Sequence, residues 1–196
     1  MKRPRQIAFD FRTHGGRRRG AGRKPKGDRA LVSHKERPRF DKAMPAHVTL
    51  RVRNDVPSLR SSRRFAVIRR CFAAARGLHG LRLVEFTVMG NHLHLIVEAE
   101  SNGSLSRGMQ GLCVRLARAL NKTLKRGSGG VFADHYHLQL LGTRAEVRNA
   151  LGYVAGNAEH HFGEGGPDWC NSQNPELRKL LELPETWLLR RCRFAG

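Results

Sequence analysis

Three features of this 196-residue chain predict an α+β fold. Apolar residues alternate with polar ones in four short stretches, and they recur at the three-and-four spacing of an amphipathic helix in three longer ones. The two kinds follow one another as β-α-β-β-α-β-α. The two central strands are joined by Gly90-Asn91, a turn pair too short for a crossover, so they pair antiparallel. The first six elements are those of a ferredoxin-like split β-α-β unit, with two helices on one sheet face and strands one and three side by side. The seventh is an additional C-terminal helix that carries a tyrosine.

In order along the chain, residues 1–45 hold 15 Lys and Arg against 4 Asp and Glu and show no apolar period, which reads as a disordered basic arm over 1–44. Within it Arg19–Gly27, with Arg23 and Lys24 at its centre, resembles an AT-hook, an extended segment that fits a narrow minor groove; a plain phosphate-binding tail is the simpler reading. A folded domain is expected over 45–162. It opens with His47–Val52, which places His47, Thr49 and Arg51 on one face and Val48, Leu50 and Val52 on the other. Ser61 or Ser62 caps a helix burying Phe65, Ile68, Cys71 and Phe72, which Gly77 or Gly80 ends. Leu81–Val88 is the second strand, with Val84, Phe86 and Val88 on its apolar side. The third is Asn91–Glu98, whose Glu98 reads as a solvated strand end. Leu105, Met109, Leu112, Leu116 and Leu120 stripe the next helix, and Arg115, Arg118 and Lys122 run down another of its faces, solvated or in contact with phosphate. Tyr136–Leu141 is the fourth strand. Thr143-Arg-Ala-Glu146 is a capping box opening the last helix, whose buried stripe is Val147, Leu151, Val154 and Ala158 and whose polar stripe includes Tyr153 and Asn157. Residues 163–196 read as an extension that packs back on the domain.

Composition narrows the partners. A formal charge of +21 and a pI near 11.4 point to a polyanion, most often nucleic acid. No run approaches the roughly 18 apolar residues of a bilayer span, and no apolar segment follows the basic N-terminus, so no membrane or secretory role is expected. The four cysteines are widely spaced and form no C-x-x-C, which argues against a zinc module or disulfide framework and for a reducing cytoplasm, with nucleoid association following from the charge.

The chemistry concentrates in two places. In Asn91-His92-Leu93-His94 the strand pleat sends both imidazoles to one face, about 7 Å apart along the backbone, where they can share a divalent metal; two solvated histidines are the alternative. Tyr153 and Asn157 lie one helical turn apart, about 6 Å, on a common face. If that helix lies over the histidine strand, His92, His94 and the Asn157 oxygen form a mixed imidazole and amide set suited to magnesium or manganese, with the phenol beside it as nucleophile toward a phosphodiester. Tyr136, the only other tyrosine, begins a strand and reads as an edge-packed aromatic; His160 and His161 are weaker ligand candidates, and His47 a neighbour of the site.

Gly90-Asn91-His92-Leu93-His94-Leu95, followed after a basic helix by Tyr153-Val-Ala-Gly-Asn157, resembles the single-tyrosine HUH transposases, and among them the REP-associated tyrosine transposase branch. The order of elements matches over roughly 45–162. That branch usually carries proline where this chain has Gly90 and Ala158. The resemblance implies a metal-dependent DNA transposase or nickase. His92, His94 and Asn157 would hold Mg2+ or Mn2+, and Tyr153 would form a 5′-phosphotyrosine link to single-stranded or hairpin DNA. Arg51, Arg115, Arg118, Lys122 and the arm's Arg23 and Lys24 are the expected DNA contacts. A homodimer, the state of the small insertion-sequence enzymes, stays an open alternative. Two other readings stand beside this one: a catalytically silent DNA-binding protein of the same fold, and an RNA-binding module. The second would want aromatics where this chain carries His, Thr and Arg.

Overall fold

The structure, a computed structural model, describes residues 38–40, 42–162 and 168–193, without the side chains of 158–162. The AT-hook-like stretch with Arg23 and Lys24 lies outside the described residues, as do the side chains of Ala158, His160 and His161.

Strands β1 (Met44–Arg51), β2 (Leu81–Val88), β3 (His92–Ala99) and β4 (His137–Leu140) form one antiparallel sheet in the order β2-β3-β1-β4. Helices α1 (Ser62–Ala75) and α2 (Asn102–Thr123) join its strands, and α3 (Arg144–Phe162) follows β4. The fold is the α+β, ferredoxin-like arrangement. α1 starts at Ser61, whose hydroxyl accepts from the Arg64 amide, and the chain leaves it through Gly77 at φ +66°. α3 starts at its capping box: Glu146 N donates to the Thr143 hydroxyl, and the Glu146 carboxylate accepts from Thr143 N.

The main core lies between the sheet and α1 with α2. Ile68 and Phe72 of α1 and Met109, Leu116 and Leu120 of α2 are buried against Val48, Leu50, Phe86, Leu93 and Leu95. Rings of Phe72 and Phe86 meet at 4.8 Å. α2 approaches β2 so closely that a Cβ at Gly108 would lie 2.4 Å from that of Leu81. A smaller core covers half of the other sheet face: Val147, Ala150 and Val154 of α3 and Leu189 of α4 (Trp187–Arg193) pack on Val84, Ile96 and Leu141. No helix among the described residues is long and apolar enough to cross a membrane.

Two sequence expectations are corrected. Val84 does not share a face with Phe86 and Val88. β2 slips its register against β3 between Leu83 and Glu85, and the extra residue of that bulge turns Val84 to the α3 side while Phe86 stays in the main core. Glu98 is not a solvated strand end. It is 1% exposed, and its carboxylate accepts from the amides of Glu185 and Thr186 and from the Thr186 hydroxyl, just ahead of α4. A carboxylate there satisfies amides the helix cannot and complements the dipole of its first turn.

Beyond residue 168 the chain covers the outer edge of β2. Val88 N donates to Cys170 O at 3.0 Å, Ser172 N to Phe86 O at 2.9 Å, and Glu182 N to Leu83 O at 2.8 Å. Buried Glu85 receives the Ser172 hydroxyl and pairs with Arg193 at 3.0 Å, which ties α4 to the same strand. The edge that would otherwise present unpaired backbone is thereby closed.

Candidate active site

The register of β1 on β3 builds the site. Thr49 lies opposite His94 and Arg51 opposite His92, and cross-strand partners share a face, so His47, Thr49, Arg51, His92 and His94 all emerge on the side away from α1 and α2. α3 covers the far half of that face and brings Tyr153 over the near half. They flank a groove of about 800 Å³ lined by Thr49, Arg51, Ser58, His92, His94 and Tyr153.

His94 is its centre, at 5% exposure. Its Nε2 faces the Tyr153 phenol oxygen at 3.5 Å, with the two rings edge to face at 5.0 Å. Its Nδ1 lies 3.1 Å from the Thr49 hydroxyl and 3.1 Å from His47 Nε2. The His92 ring stands edge-on to it at 4.7 Å. His92 Nδ1 is 2.7 Å from Asn91 Oδ1, an oxygen that only accepts, so the ring donates there and, when neutral, carries its lone pair on Nε2. Burial pushes the His47 pKa below its ordinary value, with the nearby His137 a smaller cause. His47 is therefore the uncharged neighbour of His94 at neutral pH. Tyr153 is 50% exposed and opens on the groove.

Asn157, one turn beyond Tyr153, is 3% exposed, and among the described residues its Oδ1 has no hydrogen-bond partner. Leaving a buried acceptor unpaired costs about 1–3 kcal/mol, so such an atom marks a place for an incoming group. Among the described residues no three His, Cys, Asp or Glu side chains gather as a metal-binding group. A divalent ion on this face would thus draw on the two imidazoles and an amide oxygen; Asn157 does not line the groove, but its orphaned oxygen, one turn from Tyr153, is of the type that set needs.

The other expected contacts divide between two surfaces. Arg51 lines the groove just described. Arg115, Arg118 and Lys122 lie on the opposite side of the sheet, in a second groove of about 800 Å³ between α1 and α2. Arg63 and Arg70 of α1 join them there, and among the described residues no carboxylate lines it. Sequence reasoning missed both arginines, although their spacing of seven on one helix was a visible signal. Tyr136 packs against the main core beside β4.

The model of the family described as transposase, IS200-like, matches residues 42–157. Among solved structures, that of a REP-associated tyrosine transposase bound to a REP hairpin superposes with a TM-score of 0.62 over 78% of this chain and 89% of that one, at 12% identity, a likeness of fold. A candidate transposase from Deinococcus radiodurans gives 0.43 at 16% identity, over 64% of this chain and 98% of the other. No curated protein matches the chain by sequence.

Proposed function

The chain belongs to the IS200-like transposases, and from that premise we propose that it cleaves and rejoins single-stranded or hairpin DNA through a 5′-phosphotyrosine intermediate on Tyr153. The observation that carries this reading is the approach of the Tyr153 phenol oxygen to within 3.5 Å of His94 Nε2, on the face His94 shares with His92. The fold neighbour is bound to a REP hairpin, and we extend that class of ligand to this chain.

In the proposed reaction the phenol oxygen attacks the scissile phosphorus. The new bond is P–O(Tyr153), the bond to the 3′ oxygen breaks, and that oxygen takes a proton from water and leaves as a free 3′ hydroxyl. The phenol proton passes to water, which reaches the half-exposed side chain from the groove. Rejoining runs in reverse, a 3′ hydroxyl displacing the tyrosine. His92, His94 and Asn157 would hold a divalent ion, Mg2+ or Mn2+, which when bound neutralises charge on the phosphate oxygens. Asn91 fixes the His92 ring by accepting from its Nδ1, and Thr49 and His47, each 3.1 Å from His94 Nδ1, orient the His94 ring. Arg51 meets phosphates beside the scissile bond. The α1–α2 groove, with Arg115, Arg118 and Lys122, holds backbone phosphates elsewhere on the DNA, and the arm with Arg23 and Lys24 adds contacts independent of sequence.

The decisive experiment is Tyr153→Phe on a labelled hairpin oligonucleotide with manganese, read on a denaturing gel. The phenylalanine has no oxygen to attack with, so the covalent adduct is expected to vanish. An adduct of undiminished yield assigns the nucleophile elsewhere, and parent protein that forms none under any divalent ion leaves a DNA-binding protein of this fold.

A further inference from the structure

The matched segment ends at Asn157, yet a side chain from beyond it hydrogen-bonds the backbone of the tyrosine helix. Asn171 sits in the strip that covers β2, bridged to Thr87 and flanked by the backbone bonds of Cys170 and Ser172. Its side chain reaches the α3 layer. The Nδ2 group donates to Val154 O at 2.8 Å and Ala155 O at 3.1 Å, and Oδ1 accepts from Gln173 N at 2.9 Å. At 1% exposure both hydrogens and the oxygen of the amide are engaged, so its orientation is set. The strip itself is anchored upstream, where the Arg60 guanidinium grips Asp168 at 2.6 and 2.8 Å.

The two carbonyls belong to the residues immediately after Tyr153. The phenol is half exposed, so its place over His94 is set by the helix that bears it more than by packing around the ring. That helix packs on the sheet and on α4 through one stripe, Val147, Ala150, Leu151 and Val154, so apolar contact alone holds a single side of it. The phenol oxygen is a long lever: a roll of ~10° carries it roughly 1.5 Å, and displacements of about 1 Å at a reacting group can cost around 100-fold in rate.

The geometry points to Asn171 as a positioning residue for Tyr153: from the β2 edge it fixes the roll of α3 and so holds the phenol over His94. The inference rests on the reading of Tyr153 as nucleophile for its effect on rate. Its effect on geometry stands apart from that reading.

The test uses the full chain with Asn171→Asp, which keeps size but replaces the donor with a carboxylate that both carbonyls repel, and Asn171→Gln, which keeps an amide donor. Three quantities are read: the single-turnover rate of adduct formation on a hairpin oligonucleotide with manganese, the DNA affinity without metal, and the NMR shifts of the His94 imidazole, which lies edge-on to the Tyr153 ring. For the aspartate variant the expectation is a rate lower by about 100-fold, DNA affinity within about twofold of the parent, and a displaced His94 signal. The glutamine variant recovers part of the rate. An aspartate variant with parental rate, or one whose rate and DNA affinity fall in step, overturns the proposal. A His94 signal that stays where it was overturns it whichever residue is the nucleophile. If the aspartate variant does not fold, Asn171→Ser removes the amide with little strain, and a parental rate and His94 signal there overturn the proposal equally.

Discussion

One face of β3 carries His92, His94, Ile96 and Glu98, and its two ends have different fates. At the first end His94 borders a groove, and at the second Glu98 lies under the segment leading into α4. Burial does not separate them, since His94 is 5% and Glu98 1% exposed. Completion of bonding does. Glu98 accepts from two amides and a hydroxyl, whereas on the helix that carries Tyr153 the Asn157 oxygen, one turn further on, is buried with no hydrogen-bond partner among the described residues. A saturated polar group holds a fold together, and a buried unsatisfied one is a cost that an incoming partner would relieve.

Substitutions at the two ends sharpen that contrast. His92→Ala is expected to lower metal-dependent cleavage on the order of 10³-fold, the several kcal/mol an ion supplies to such a reaction. Its thermal melting and metal-free DNA binding should match the parent, and a variant that fails to fold would make His92 structural and erase the distinction. Glu98→Ala should show the mirror image: about 2–4 kcal/mol lost in urea unfolding from bonds to a charged acceptor, with metal affinity retained in the cold. Parental stability there would mean that the α4 connection carries no load.

Smaller effects probe the surroundings of each end. Thr49→Val takes one partner from His94 Nδ1 and should weaken Mn2+ binding by about 10-fold, measured by calorimetry, with Thr49→Ser near the parent. An unaffected affinity would leave His47 as the partner that matters. On the far side of the sheet, Arg115→Ala combined with Arg118→Ala should flatten the log–log salt dependence of duplex binding by about 1.8, two phosphate contacts at about 0.9 each, while cleavage of a short unpaired oligonucleotide is unchanged. An unchanged slope would make that groove a solvated surface.

Local spacing made much of this legible. The order of strands and helices, the Thr143–Glu146 cap and the common face of His92 and His94 are consequences of periods of 2.0 and 3.6 residues, which neighbours a few positions apart express. The four-residue step from Tyr153 to Asn157 was equally plain. That one member of the pair would be half exposed and the other buried was not, because burial is set by neighbours distant in sequence and not by the spacing of the pair. Val84 was misread because a single bulged residue inverts alternation without leaving a mark in composition. Residues 168–172 show no period at all, so neither their cover over β2 nor the reach of Asn171 to α3 could be read along the chain.

The chain's own pattern therefore specified its elements, its basic character and the chemical groups held in reserve, since these depend on residue type and near neighbours. Which of those groups became bonded structure and which stayed available was settled by contacts between segments far apart in sequence. Thr186 comes to Glu98 across 88 positions, and Asn171 to Val154 across 17. A buried carboxylate or amide takes its role from whatever donor is delivered to it, and delivery is a property of the folded packing.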